Sequence, residues 1–259
     1  MRRAARALFL LVALLGTLAR AAENPEIAKR RAAERKTFTD AEIIKGFFAT
    51  AFGAEMRIAG RVDRIRKYDG PVRVYVENHA RPDRSAQIAG VVADIKARVE
   101  HLDIAMAADP KEANVVVRLL TERNFYPTLR AAFGRDRLRR IQKSLDPQCL
   151  SGFRKDDQLR IMHSDVFLVA DRGDFIFYDC AYEELLQSLG PINDTDKVPW
   201  TMFNDRVQMG FFDVYDQYIL NILYHPRVRA GMTAREVRAL LPEIMPEVRA
   251  FVAKVNSLP

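Results

Sequence analysis

The stretch Cys180-Ala-Tyr-Glu-Glu-Leu-Leu-Gln-Ser-Leu-Gly-Pro-Ile-Asn-Asp194 decides how the fold of this chain is interpreted. Its apolar residues recur at i, i+3, i+4 and i+7, a spacing that places them on one continuous face of an α-helix. A Leu-Gly step ends this pattern, and a short polar turn follows it. The stretch therefore predicts a helix that packs one face against a sheet and ends at a glycine. The apolar face consists of Tyr182, Leu185, Leu186 and Leu189.

The polar residues of the same stretch have the spacing of metal ligands in zinc proteases. In those enzymes two histidines lie four residues apart on one helix face, so that both imidazoles bind one ion, and a glutamate follows the first histidine. A glycine then turns the chain, and a third histidine comes three residues later. Counted from Gly190, the first histidine position holds Glu183 and the position of the catalytic glutamate holds Glu184. The second and third histidine positions hold Gln187 and Asn193.

Two further segments follow at protease-like distances. Pro199-Trp-Thr-Met-Phe203 stands where metzincins have the methionine turn that lies beneath the metal, with Met202 as its methionine. Asp216-Gln-Tyr-Ile-Leu-Asn-Ile-Leu-Tyr224 corresponds to the closing helix, an Asp followed by apolar residues. Because Asp216 interrupts an otherwise apolar helix face, we expect a buried partner for its carboxylate.

Together these segments resemble a metzincin-type zinc metalloprotease in which the zinc-binding histidines are replaced. With the later Tyr224-His-Pro and Gly231-Met232 steps, they also resemble an exported proteobacterial family known as domain of unknown function 2927, whose members carry Glu and Gln at the same positions. The resemblance implies an α+β, zincin-like fold with a mixed sheet packed against helices. It also implies a degenerate active-site helix followed by a methionine-turn-like segment and C-terminal helices. It implies no established activity.

The exchanged residues are poor ligands for zinc. Zinc prefers imidazole nitrogen and thiolate, and neutral amide oxygens bind it weakly. Calcium takes about six or more oxygen ligands, which Glu183, Glu184, Asp194 and Asp196 could supply only if the loop folds back. Without a metal, Glu184 has no activated water to deprotonate. We therefore predict no bound metal and no cofactor, and Glu184 is the single catalytic candidate.

A structural interpretation of the same residues is also available. Glu183 and Gln187 are one helical turn apart and can hydrogen bond to each other or to the amides of the Asn193-Asp194 turn. These hydrogen bonds would hold the helix and the turn together in place of a metal. This structural role does not exclude a binding role for the same cleft. The residues predicted to line the cleft as a polar cluster are Glu183, Glu184, Gln187, Asn193, Asp194 and Met202.

The N-terminus has the three parts of a secretory signal peptide. A basic start is followed by the apolar run Ala7–Leu18 and by the small-x-small site Ala19-Arg20-Ala21. The run is too short to cross a bilayer, which needs about 20 residues, although a retained anchor is the alternative. We predict a signal peptide over residues 1–21, cleaved near Ala21, and a periplasmic or secreted protein that does not span the membrane.

The charge and the cysteines agree with this location. The formal net charge of +7 includes four arginines of the leader, so about +3 remains in the rest of the chain. So small a basic excess argues against nucleic acid as a partner. The two cysteines, Cys149 and Cys180, form an even pair in an exported chain and predict a disulfide. A nucleophilic cysteine is the alternative, and only His163 lies between the two as a base.

Several shorter patterns predict the elements of the fold. Thr39-Asp-Ala-Glu42 and Thr233-Ala-Arg-Glu236 are capping boxes, each opening a helix. Apolar residues recur at helical spacing in residues 85–102. Strands are predicted in residues 114–120 and 159–170.

A hairpin and a basic segment complete the interpretation of the elements. Arg61–Lys67 and Val72–Val76 alternate in polarity on either side of Tyr68-Asp-Gly-Pro71 and predict a β-hairpin. Residues 129–143 are rich in arginine and interleaved with apolar residues. They are either a solvated helix face or a surface that attracts an anionic polymer.

We predict three parts along the chain: the leader, a flexible lead-in over residues 22–37, and a single zincin-like domain over residues 38–259. Within the domain, residues 38–190 form the sheet and helix part, and residues 191–259 form a C-terminal helical part.

The first functional hypothesis is a non-catalytic module that uses the former substrate cleft to bind a peptide, protein or envelope polymer, or serves structurally. The alternative is an atypical hydrolase with Glu184 as general base and a hard cation or no metal. A subunit of a larger envelope assembly is a third possibility.

Overall fold

One mixed sheet organises the molecule. The computed structural model describes residues 23–53, 63–136, 138–139, 148–204 and 206–258, so the predicted signal peptide lies outside the described residues. The sheet has the strand order β2-β1-β3-β5-β4. The strands are β1 (Val72–Asn78), β2 (Ile104–Met106), β3 (Val115–Leu120), β4 (Cys149–Lys155) and β5 (Ile161–Val169).

The strand directions confirm the predicted α+β class with a mixed sheet. β1 pairs in parallel with both β2 and β3, and β3 pairs in parallel with β5. β4 alone runs antiparallel, paired with β5 at the edge of the sheet. The central strand β3 is rich in valine and leucine and is buried on both faces, as is usual for a parallel strand between helices, whereas buried and half-buried residues alternate at the start of β1.

Helices cover both faces of this sheet and surround one end of it. α3 and α5 contact the sheet on one side, α4 contacts β3 and β5, and α6 packs between α2 and α7. The helices are α1 (Pro25–Ala32), α2 (Asp40–Ala51), α3 (Ser85–Arg98), α4 (Glu122–Phe133), α5 (Asp174–Ser188), α6 (Val214–Tyr224) and α7 (Ala234–Asn256).

Alternation along β5 separates two hydrophobic cores. Val166 and Leu168 belong to the larger core beneath α3 and α5, whereas Phe167 and Val169 belong to a smaller core with residues of α4. Successive strand residues point to opposite faces, so β5 contributes to both cores at once.

Both predicted capping boxes are confirmed. The Thr39 side chain accepts from the Glu42 amide while the Glu42 carboxylate accepts from the Thr39 amide, and Thr233 with Glu236 repeats this arrangement. Each box satisfies backbone donors that the first turn of a helix leaves unpaired. The helix beginnings at α2 and α7 are therefore set by local sequence.

The predicted hairpin is wrong. Val72–Asn78 is a strand, but both of its edges are occupied by β2 and β3, so no hairpin partner can pair with it. The preceding segment pairs elsewhere, because the Ile65 amide donates to the Met232 carbonyl at 2.8 Å and the Ile161 amide donates to the Lys67 carbonyl at 2.8 Å. Two parallel strands, β2 and β3, therefore pair with β1 in place of the predicted hairpin partner.

Two other segments can be compared with their sequence patterns. Part of the predicted lead-in forms α1, where Ile27 is buried and the Arg31 guanidinium lies 4.2 Å from the Phe211 ring centroid. In the basic segment, Leu129 is buried while Arg130 and Arg135 are exposed, as on a solvated helix face, and much of the rest lies outside the described residues. Among the helices that the structure describes, none has the length and apolar character needed to cross a bilayer.

The predicted disulfide is present. Cys149 at the start of β4 and Cys180 in α5 are joined, at a sequence separation of 31 residues. The bond therefore links the antiparallel edge strand to the helix that lies against it.

Removing this crosslink should lower the stability of the fold. The Cys149→Ala/Cys180→Ala double variant frees the unfolded chain from a closed loop, and we expect the free energy of unfolding to fall by about 3–4 kcal/mol. Urea unfolding followed by circular dichroism measures the change. Wild type in a reducing agent should fall to the same value, and a stability unaffected by either treatment would contradict the crosslink.

Candidate functional site

Helix α5 places the predicted site residues beneath the edge of the sheet. Its predicted apolar face is buried, with Leu185, Leu186 and Leu189 each at most 1% exposed. Cys180 and Ser188 lie on the same helix, and α5 contacts both β4 and β5. The side chains at the C-terminal half of α5 are thus held at the junction between the helix and the edge strand.

The helix ends at the predicted glycine. The Gly190 amide donates to the Gln187 carbonyl at 3.0 Å, and Gly190 has φ of 141°, a conformation that favours glycine. A Cβ on Gly190 would lie 2.4 Å from the Arg66 carbonyl oxygen. Two independent reasons, backbone conformation and close approach, therefore require a residue without a side chain at this turn.

At the second histidine position, Gln187 binds protein groups. Its amide nitrogen donates to the Asp194 carboxylate at 2.6 Å, and the Ser151 hydroxyl of β4 lies 3.5 Å from its amide oxygen. Gln187 is 5% exposed. Gln187 therefore contacts the following turn through the Asp194 carboxylate, whereas the sequence predicts a contact with the amides of that turn.

At the third histidine position, Asn193 binds a different part of the molecule. Its amide nitrogen donates to the Ala49 carbonyl at 2.7 Å, and its backbone amide donates to the Thr50 carbonyl at 3.2 Å. Both acceptors belong to α2. Asn193 therefore anchors the turn to α2, and its amide group does not bind the partner of Gln187.

The two glutamates differ in exposure. Glu183 is half-buried and Glu184 is 6% exposed, and both interact with other parts of the chain. Among the residues that the structure describes, no cluster of three His, Cys, Asp or Glu side chains could hold a metal ion.

The methionine segment is held by Asp216, whose expected buried partner is confirmed. The Thr201 hydroxyl donates to one carboxylate oxygen of Asp216 at 2.5 Å, and the Met202 amide donates to the other at 2.7 Å. Met202 itself is 2% exposed. α6 thus fixes the turn around Met202 through a single buried carboxylate.

A second acid lies beside Asp216. The Asp213 carboxylate caps α6 by accepting from the Tyr215 and Asp216 amides, and its other oxygen is buried. The two buried carboxyl groups are neighbours, and adjacent buried carboxyl groups favour sharing one proton. Burial raises the pKa of Asp216 to about 6, and it also raises the pKa of Asp213, with the neighbouring carboxyl group adding to the effect on Asp213.

A buried arginine lies next to the end of α5. Arg66 is 3% exposed, and burial lowers the pKa of its guanidinium to about 10. Its Nη2 donates to the Gly53 carbonyl at 2.5 Å, and its Cζ lies 5.8 Å from the ring centroid of Phe153 on β4. β4 is thus connected with the end of α5 and the turn after it by five residues: Arg66, Ser151, Phe153, Gln187 and Asp194.

The sequence patterns did not indicate that Arg66 and Asp213 are buried polar residues near the site. Asp213 stands directly before the apolar run of α6 and has the signature of a helix cap, so a search for caps would have found it. Arg66 lies in an alternating segment that resembles an exposed strand, and no local pattern marks it as buried. Only its contacts with α2 and β4, which are distant in sequence, bury it.

Replacing Gly190 tests the turn. Gly190→Ala forces an unfavourable φ and a contact between Cβ and the Arg66 carbonyl, so we expect a loss of about 2–4 kcal/mol in the free energy of unfolding. Gly152→Ala is the matched control, because a Cβ at Gly152 on β4 would meet nothing within 4 Å. Urea unfolding of both variants measures the difference, and equal losses would contradict this account.

Replacing Asp213 tests the acid pair. Since folding raises both pKa values, the pair contributes its full stability below about pH 4 and loses it as the pH rises through about 6 and above. The amide introduced by Asp213→Asn would keep an oxygen for the helix cap and donate to Asp216. The free energy of unfolding of wild type should decrease between pH 4 and pH 8. We expect this decrease to be about 1–3 kcal/mol smaller for Asp213→Asn, measured by urea unfolding.

Asp216→Asn is the control for that measurement. Its amide cannot accept from both Thr201 and Met202, so it should be less stable than wild type at both pH values. Parallel pH profiles of wild type and Asp213→Asn would show that the two carboxyl groups do not share a proton.

Comparison with known proteins bears on the family alone. No curated protein and no solved structure matches the chain. The model of one family, described as a protein of unknown function (DUF2927), matches residues 40–243. That range includes α5, the turn after it, the methionine segment and α6, and it covers most of the chain. The chain therefore belongs to the DUF2927 family of proteins of unknown function.

Proposed function

We propose that this protein is an exported, zincin-like binding module without catalytic activity, and that it binds an extended peptide along the outer edge of β4. One observation carries the proposal. The side chains at two of the three former ligand positions, Gln187 and Asn193, are used in hydrogen bonds within the protein, and Gln187 also contacts Ser151 of the edge strand β4.

The edge of β4 supports the binding part of the proposal. Within the described residues, β4 pairs with β5 alone, and we propose that a further strand binds at its other edge. Peptides bind such edges by main-chain hydrogen bonds, while side chains of alternate residues give specificity. The disulfide to α5 holds β4 in position, which lowers the conformational entropy that binding would cost.

The zincin-like part of the proposal is supported by the order of the segments. Helix α5, its glycine turn, the buried Met202 and the closing helix α6 follow one another as in the metzincin pattern. Export is supported by the leader-like N-terminus and by the disulfide, which suits an oxidising compartment.

The alternative is a hydrolase that uses Glu184 as a general base. Glu184 stands at the position of the catalytic glutamate and is buried. This function needs an activated water or a polarised substrate. Within the described residues no metal-binding cluster is present to provide either, so we favour binding.

The experiment is a peptide selection with the exported protein. The protein is purified from the periplasm, its intact mass checks removal of the leader near Ala21, and a phage-displayed library of random seven-residue peptides is selected on it. Selected peptides are then synthesised with single N-methyl groups along the backbone. We expect N-methylation to weaken binding by about tenfold or more at alternate residues only, measured by calorimetry, because alternate amides of a strand face its neighbour.

Two outcomes would contradict the proposal. If no peptide is selected, or if N-methylation has no alternating effect, peptide addition to β4 is wrong. If the protein carries stoichiometric metal and cleaves the peptides, and Glu184→Gln abolishes that cleavage, the hydrolase is correct. Mass spectrometry of the peptides after incubation and elemental analysis of the protein decide between the two functions.

A further inference from the structure

Arg66 carries a positive charge that the protein buries without neutralising it. Its guanidinium donates through Nη2 to the Gly53 carbonyl at 2.5 Å and to the Ala51 carbonyl at 3.4 Å. These carbonyls lie at the C-terminal end of α2, where the helix dipole favours a cation. This contact explains the position of one guanidinium nitrogen.

Nε of the same guanidinium has no such explanation. Nε of Arg66 is buried and has no hydrogen-bond acceptor, and no described carboxylate lies within ion-pair distance of the side chain. Other arginines of the protein are paired, for example Arg84 with Asp174 at 2.6 Å and Arg118 with Asp165 at 2.6 Å. Buried charges in proteins are normally paired, and an unmatched buried donor costs free energy.

The position of Arg66 relative to β4 identifies what could reach it. Phe153, whose ring lies over the guanidinium, is opposite Ser164 on β5, and the Ser164 hydroxyl donates to the Ser188 carbonyl at the end of α5. Directly opposed strand residues point to the same face of a sheet. A peptide residue opposite Phe153 on the outer edge of β4 would therefore direct its side chain to the face that holds Arg66.

We propose that Arg66 selects a carboxylate, so that the bound peptide carries Asp or Glu at the residue opposite Phe153. This inference rests on the proposed function and adds the chemical class of its ligand. A guanidinium binds a carboxylate through two parallel hydrogen bonds, and Nε is one of the two donors of its side edge. The carboxylate would supply both the missing acceptor and the missing negative charge.

The selection described above tests this inference when its sequences are aligned by the N-methylation pattern. We expect Asp or Glu at one fixed position. Changing that residue to Asn or Gln in a synthetic peptide should lower its affinity for the wild-type protein by about tenfold or more, measured by calorimetry at constant ionic strength. This measurement requires no protein variant, so a failure of Arg66 variants to fold does not affect it.

Protein variants then assign the effect to Arg66. Arg66→Gln should bind the acidic peptide and its amide counterpart with equal affinity, and Arg66→Lys should retain part of the preference. Arg64→Gln is the matched control, since it removes an exposed arginine two residues away and should keep the full preference. Thermal unfolding checks that each variant is folded.

The outcomes separate this inference from the proposed function. Peptides that bind with alternating N-methyl sensitivity, but have no fixed acidic residue or lose no affinity on its amidation, would overturn the role of Arg66 and leave strand addition in place. A preference that Arg66→Gln retains in full would also overturn it. Failure to select any peptide would overturn strand addition, and the carboxylate preference with it.

Discussion

The close approach of Gly190 to the Arg66 carbonyl is the constraint on which the rest of the site depends. Because a Cβ cannot fit between them, the end of α5 comes directly against the segment that precedes β1. This contact places Arg66 beside Phe153 of β4 and sends the following turn toward α2, where Asn193 is bound. The disulfide fixes the other end of the same layer, since it joins α5 to the first residue of β4.

Around this constraint, hydrogen bonds connect the end of α5, the turn after it and the methionine segment. Gln187 and Asp194 connect the helix to its turn, and Asp216 holds the methionine segment through both of its carboxylate oxygens. A metal fixes its ligands by coordination, whereas these groups fix each other by directional bonds in a buried environment, where an unmatched group is costly. In the proposed function, the edge strand β4 lies next to hydrogen-bonded side chains and is crosslinked to α5. Peptide binding would therefore cost little additional conformational entropy of the protein.

Local patterns predicted the elements whose stabilising interactions are local. The two capping boxes, helix α3 and the apolar face of α5 agree with their sequence patterns, because i to i+4 contacts and end caps lie within a few residues. The predictions were wrong or absent where pairing is distant in sequence. The hairpin failed because β1 is bound on both edges, and β4 was missed because Cys-Leu-Ser-Gly-Phe-Arg-Lys does not alternate clearly. Glu183 and Glu184 are candidates from their spacing alone, whereas no spacing pattern points to Arg66.

The sequence by itself determined the apolar stripe of α5, the glycine at its end, the expectation of a buried partner for Asp216 and the pairing of the only two cysteines. Each follows from residue type and short-range spacing, which the chain carries in any conformation. Tertiary structure alone decided which partner each polar group meets: Thr201 and Met202 for Asp216, Asp194 for Gln187, α2 for Asn193, and no described carboxylate for Arg66. The physical reason is that hydrogen bonds and ion pairs act over a few ångströms in space, whatever the separation along the chain.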